Sequence, residues 1–180
     1  MRSLIVVFTL LVMAGVAVAQ ETRTEVTRSD PNDSKPNSDK VPDVYAIGGH
    51  FERILLLRFK YQADLLAGLE QMVKVYKVRN AVILAAVGSV RGYHYHTVTN
   101  RTFPVKITFV KNPEASADIT SMNGYVIDGH IHAHLTMSET GKAFGGHLES
   151  GTTVFTFAMV TLGVLGDEVD LKRIDDKTYR

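Results

Sequence analysis

Apolar positions recur along the chain with two different periods. Phe51 to Phe59 carries Ile54, Leu55, Leu56, Leu57 and Phe59 in a nearly unbroken run, which reads as a strand in a sheet buried on both faces. Leu65, Leu66, Leu69, Met72, Val73 and Tyr76 then recur at helical spacing. Asp64 suits an N-cap or first-turn position, and Lys74, Lys77 and Arg79 suit the negative end of the helix. One amphipathic helix is therefore expected, closing near Lys77 to Asn80. Its Leu/Met stripe reads as core.

The period changes again after Asn80. Ala81 to Val90, Tyr93 to Thr99 and Pro104 to Val110 are β-rich, with Gly88 and Gly92 as bends and a polar excursion around Pro113. Asp128-Gly129, between Tyr125-Val126-Ile127 and Ile131-His132-Ala133, is the strongest two-residue hairpin signal in the chain. Glu139-Thr140-Gly141-Lys142 marks a second turn, and Thr153 to Leu165 is a long β-rich segment. The pattern predicts an α+β domain: a mainly antiparallel sheet of about seven strands with one principal helix.

The first half-hundred residues follow other rules. Arg2, the apolar run Leu4 to Val12 and the small-x-small triplet Ala17-Val18-Ala19 read as a signal peptide over 1–19, leaving Gln20 first in the mature chain. The run is short for a membrane span, and no cysteine follows it to carry a lipid. Export to the periplasm or medium, without a stable membrane anchor, is the expectation. Residues 20–43, rich in Thr, Ser, Asp, Asn, Lys and Pro, bury too little to offset ordering entropy and read as a disordered linker. Residues 44–180 are long enough for one domain with one core.

Charge and cysteine content exclude some classes. The chain has 20 basic and 19 acidic residues, and loss of Arg2 with the leader leaves the two balanced. Such a balance gives no electrostatic case for nucleic acid. With no cysteine, an exported chain draws no disulfides from an oxidising compartment.

Chemistry concentrates in one place. His130, His132 and His134 alternate on the strand predicted after Asp128-Gly129 and so share a face, and His147 follows Gly145-Gly146 after a short loop. At about 3.3 Å per residue, His130 and His134 lie about 13 Å apart, too far to share one ion. An adjacent pair with His147 makes a three-nitrogen site with an open fourth position, which suits a divalent cation such as zinc. Water or a small anion would complete it. The bland alternative is a hairpin whose histidines only hydrogen-bond one another and solvent. His94 and His96 form a second pair, read as exposed residues alternating with Tyr93 and Tyr95 or as lining the same cleft. Glu149, two residues past His147, is the nearest candidate for a catalytic acid or base.

The stretch Asp128-Gly129-His130-Ile131-His132-Ala133-His134-Leu135, then Gly141, then Gly145-Gly146-His147-Leu148, resembles the signature of the PPC domain, conserved in plants and prokaryotes. The likeness runs from about Phe51 to Leu165. It implies a PPC-like fold assembled as a homotrimer, with His130, His132 and His147 as metal ligands and His134 as a fourth or neighbouring group. Two departures stand out: the loop Thr136 to Phe144 is about one residue long for the family, and Met159 stands where many relatives have a glutamate. DNA binding in the plant members belongs to AT-hooks, and this chain has none. Three readings remain: a non-catalytic metal- or ligand-binding trimer, a metal-dependent hydrolase or lyase using metal-bound water, and, blander, a structural oligomer whose histidines are incidental.

Overall fold

The computed structural model describes residues 22–172 and residue 174, so the leader expected over 1–19 lies outside the described residues. Nine strands and one helix follow in order: β1 (Thr24–Ser29), β2 (Phe51–Lys60), α1 (Leu65–Val75), β3 (Ala81–Val90), β4 (Tyr93–Val98), β5 (Lys106–Asn112), β6 (Ala117–Ile127), β7 (His130–Glu139), β8 (Lys142–Leu148) and β9 (Val154–Leu165). All nine strands join one sheet in the order β1-β5-β4-β8-β7-β6-β3-β9-β2, and every neighbouring pair is antiparallel. The class agrees with the sequence reading; the count is nine rather than about seven.

The added strand has a clear physical reason. Where composition predicts a linker, Thr24–Ser29 lies along β5, from Thr24 opposite Lys111 to Ser29 opposite Lys106. All six of its residues are exposed, so backbone pairing holds it rather than burial. Thr27 and Thr108 share a 2.6 Å hydroxyl contact, and the Arg28 guanidinium lies 4.1 Å from the centre of the Phe109 ring. A burial argument cannot find such a strand.

Helix α1 matches its signals closely. Asp64 caps it, accepting from the Ala67 amide at 2.9 Å, and its second oxygen accepts from Gly151 at 2.6 Å. One carboxylate thus ties the helix start to the turn beyond β8. Leu65, Leu69 and Val73, one per turn, are buried in the core. The helix closes through Lys77, whose φ of 50° allows Val78 to donate to the Val73 carbonyl and Lys77 itself to reach Lys74.

The sheet's inner face carries the main core: Leu57, Ile83, Met122, Leu135, Leu148 and Val160 are among its buried residues. The other face differs from the expectation at β2. Leu57 and Phe59 are buried, whereas Ile54 and Leu56 are exposed at 51% and 69%. The apolar run is therefore one core-facing row and one bare row, not a strand covered on both sides. Leu84, Val87, Phe157 and Met159 are likewise exposed, on the neighbouring strands β3 and β9.

The β6–β7 hairpin turns where predicted. Asp128 and Gly129 both have positive φ, 49° and 83°, as a two-residue type I′ turn requires. The buried Asn80 pins this turn, accepting from the Asp128 amide at 3.0 Å and donating to the Val169 carbonyl at 2.7 Å. The starting point of β7, and with it the position of each histidine, is fixed by that contact.

Candidate metal centre

Ladder register assembles the site. Cross-strand partners share a face, and one row crosses six strands: Val26, Phe109, His96, His147, His134 and Asn123. Their strand neighbours Val110, Tyr95, Leu148, Leu135 and Met122 are buried on the opposite face. His132 lies two residues from His134 on the same face of β7, opposite Tyr125. Four imidazoles from β4, β8 and β7 thus collect on the outer surface of the sheet.

Gly145 and Gly146 make the approach close. A Cβ at Gly145 would fall on the Leu135 carbonyl, and one at Gly146 on the carbonyl of His96. Any side chain there would push β8 away from β7 or β4, and with it His147 from its neighbours. The sequence reading of these glycines as permitting close backbone contact agrees with this.

The rings are near one another. His132 and His134 have centroids 5.5 Å apart, His132 and His147 5.0 Å, and His134 and His147 5.4 Å. Three imidazoles bound tetrahedrally at about 2.0–2.1 Å to one zinc would have centroids about 5 Å apart. His96 stacks on His147 at 4.5 Å, with 16° between ring planes. The Glu149 carboxylate faces both: its Oε1 lies 2.6 Å from His96 Nδ1 and 3.5 Å from His147 Nδ1. The second contact is too long for a good hydrogen bond, and His147 Nδ1 is buried without a hydrogen-bond partner. Among the described residues, the set whose ligand atoms all lie within 4.8 Å of one another is His96, His147 and Glu149; His132, His134 and His147 are near by the separation of their ring centres.

Two groups carry shifted pKa values. His134 is held below its ordinary value by partial desolvation first, then by the neighbouring charges that His147, His132 and His96 would bear if protonated. Glu149 is held below its ordinary value: burial pushes it up, and the nearby Nδ1 of His147, the hydrogen bond from His96 and the positive charge those rings would bear together outweigh that. A His134 that gives up its proton readily and a Glu149 that stays ionised favour cation binding, because ligand nitrogens must be unprotonated to bind.

The candidates from sequence are distributed unevenly. His132 and His147 come together, with His134 as the third ring. His130 pairs with Ile127 beside the turn and lines a separate open depression of about 640 Å³ with Glu70, Lys74, Lys77 and Arg79. The reason is ladder length: β7 meets β8 only from His134 onward, so His130 lies four residues beyond the last strand pair. His96 belongs to the cluster, while Tyr93 and Tyr95 face the core as expected. The signal for His96 was its alternation with two tyrosines; its pairing with β8 was not legible. His94 contacts the Ser150 carbonyl through Nδ1 at 2.8 Å. Glu149 sits beside the cluster.

A family model for the Plants and Prokaryotes Conserved (PCC) domain matches residues 46–166. Among solved structures, a metal-containing protein of Archaeoglobus fulgidus is similar at 23% identity and a TM-score of 0.56, over 70% of this chain and 89% of that one. A hypothetical protein of Salmonella enterica has 24% identity and a TM-score of 0.54, over 67% and 81%. A plant- and prokaryote-conserved protein of Pyrococcus horikoshii has 24% identity and a TM-score of 0.52, over 71% and 86%. At these identities the likeness speaks for the fold. No curated protein matches the chain.

The shifted groups predict an acid-sensitive fold. A histidine depressed below 6.5 binds fewer protons folded than unfolded, so stability falls as pH drops through 6.5, until the folded group also protonates. Glu149 contributes stability above its ordinary value of 4.5 that is lost as pH falls through its lower folded value. Urea midpoints of metal-free protein, taken from pH 8 to pH 4, should fall on acidification. His134→Gln should flatten the upper part of that fall, and an unchanged profile in this variant would contradict the assignment.

Proposed function

The chain belongs to the Plants and Prokaryotes Conserved domain family, and we propose that it is an exported, trimeric metal-binding protein whose cation is held by His132, His134 and His147. The observation that carries this is the trio of ring separations, 5.0 to 5.5 Å, contributed by two adjacent strands. His134 takes the place that the family resemblance gives to His130. Imidazole donors suit zinc, as they do copper, nickel and iron, and three of them with an open tetrahedral position fit zinc well, with water or a small anion filling the remaining position. Bound there, the ion would supply a positive charge that attracts an anionic ligand. A protein of similar fold described as metal-containing favours the same chemistry here.

The trimer is supported by the bare outer face. Ile54, Leu56, Leu84, Val87, Phe157 and Met159 stand exposed on adjoining strands, and clustered exposed apolar side chains are characteristic of surfaces that meet another chain. Three copies packing this face around a common axis would cover it. Export is supported by the leader-like pattern of residues 1–19. No helix among the described residues is long and apolar enough to cross a membrane.

Metal analysis of the full chain purified from outside the cytoplasm, with Gln20 as its first residue, should find one zinc per chain. His132→Ala and His147→Ala should lose it, and His130→Ala should retain it. Absence of metal from wild-type protein, or full retention in His147→Ala, would overturn the reading. Light scattering should give three chains per particle, and Leu56→Glu should shift it to one; a wild-type monomer would remove the trimer.

A further inference from the structure

His96 and Glu149 lie outside the three-imidazole set proposed above, yet the fold brings both against it. The pairing of β4 with β8 places His96 opposite His147, and Glu149 follows His147 by two residues on the same side of the chain. The two rings are nearly parallel, and both turn Nδ1 toward the same carboxylate oxygen of Glu149. The two nitrogens of an imidazole lie on opposite flanks of the ring. With Nδ1 of His147 toward Glu149, its Nε2 is the atom left to face other groups, and the other imidazoles around His147 are His132 and His134.

The tighter contact, 2.6 Å to His96, anchors the carboxylate. The looser one leaves His147 Nδ1 buried and without a hydrogen-bond partner. A buried ring N–H is costly to leave unsatisfied, and the Glu149 oxygen is the acceptor beside it. A carboxylate that accepts from one nitrogen of a metal-binding histidine fixes its tautomer and makes the other nitrogen a better donor to the cation.

We propose that Glu149, anchored by His96, is the positioning residue of this centre: it holds His147 as the Nδ1–H tautomer and so presents Nε2 to the cation. This rests on the metal-binding reading for its consequence, but not for the tautomer itself. Glu149 is neither a ligand nor a catalytic acid in this arrangement. His96 acts one step further out, by keeping the carboxylate in place. A solvated acid at the end of β8, the bland reading of Glu149 in the sequence, would face water rather than two imidazoles.

The test uses the full chain with Glu149→Ala, Glu149→Gln and His96→Ala, each checked for wild-type thermal melting. Long-range nitrogen–proton NMR correlations on metal-free protein at neutral pH should show His147 as Nδ1–H in wild type. In Glu149→Ala it should shift toward Nε2–H, and Glu149→Gln, whose amide oxygen still accepts, should restore it. Titration with zinc alone should weaken about 10–100-fold in Glu149→Ala, at unchanged stoichiometry, with Glu149→Gln and His96→Ala between. An unchanged His147 tautomer in Glu149→Ala overturns the proposal. Loss of an oxygen donor from the cobalt-substituted spectrum of Glu149→Gln would overturn it too, by making Glu149 a ligand. Wild-type protein that takes no zinc would defeat the metal-binding reading instead, and the tautomer measurement would still decide this one.

Discussion

The histidine cluster depends on the register of one ladder, β7 against β8 with His134 opposite His147. Side chains alternate faces along a strand, so a slip of one residue would send His134 and His132 into the core and bring Leu135 and Ala133 out. Several features prevent it. Leu135, Met137 and Leu148 fill the inner face, the Asp128-Gly129 turn is tied to Asn80, and Gly145 and Gly146 let β8 close on both neighbours. Packing on one side of the sheet thus sets the chemistry on the other. The histidines occupy their positions because the leucines opposite them are buried.

The outer surface of the sheet divides into two regions. Toward β2, β9 and β3 it is apolar and bare; toward β7, β8 and β4 it carries the imidazoles. A line of cross-strand partners joins them, from His132 through Tyr125, Val82 and Gly163 to Ile54. In the proposed trimer the metal centre therefore borders the surface that the other copies would cover. Assembly and cation binding would act on the same face, and a change in one has a short path to the other.

Much of this was readable from the chain. Helix α1 announced itself through Asp64 and the spacing of Leu65, Leu69 and Val73, because a cap and a stripe are local signals. The hairpin at Asp128-Gly129 did so for the same reason. The strand Thr24–Ser29 was not readable: it is held by backbone pairing and by Thr27 and Arg28, none of which leaves an apolar pattern. The exposure of Ile54 and Leu56 was hidden as well, since a continuous apolar run looks the same whether a partner covers its second face or not. At the site, alternation gave the shared face of His130, His132 and His134, and spacing alone showed that the outer two could not meet. Which of these rings lie beside His147 depends on where β8 ends against β7. That is a long-range fact, as is the arrival of His96 from β4.

The most direct measurement of the central claim is zinc-edge X-ray absorption on the metal-loaded full chain. A cation held by His132, His134 and His147 gives a first shell containing three imidazole nitrogens at about 2.0–2.1 Å, with the outer-shell scattering of imidazole rings. A first shell of oxygens without that ring signature would contradict it.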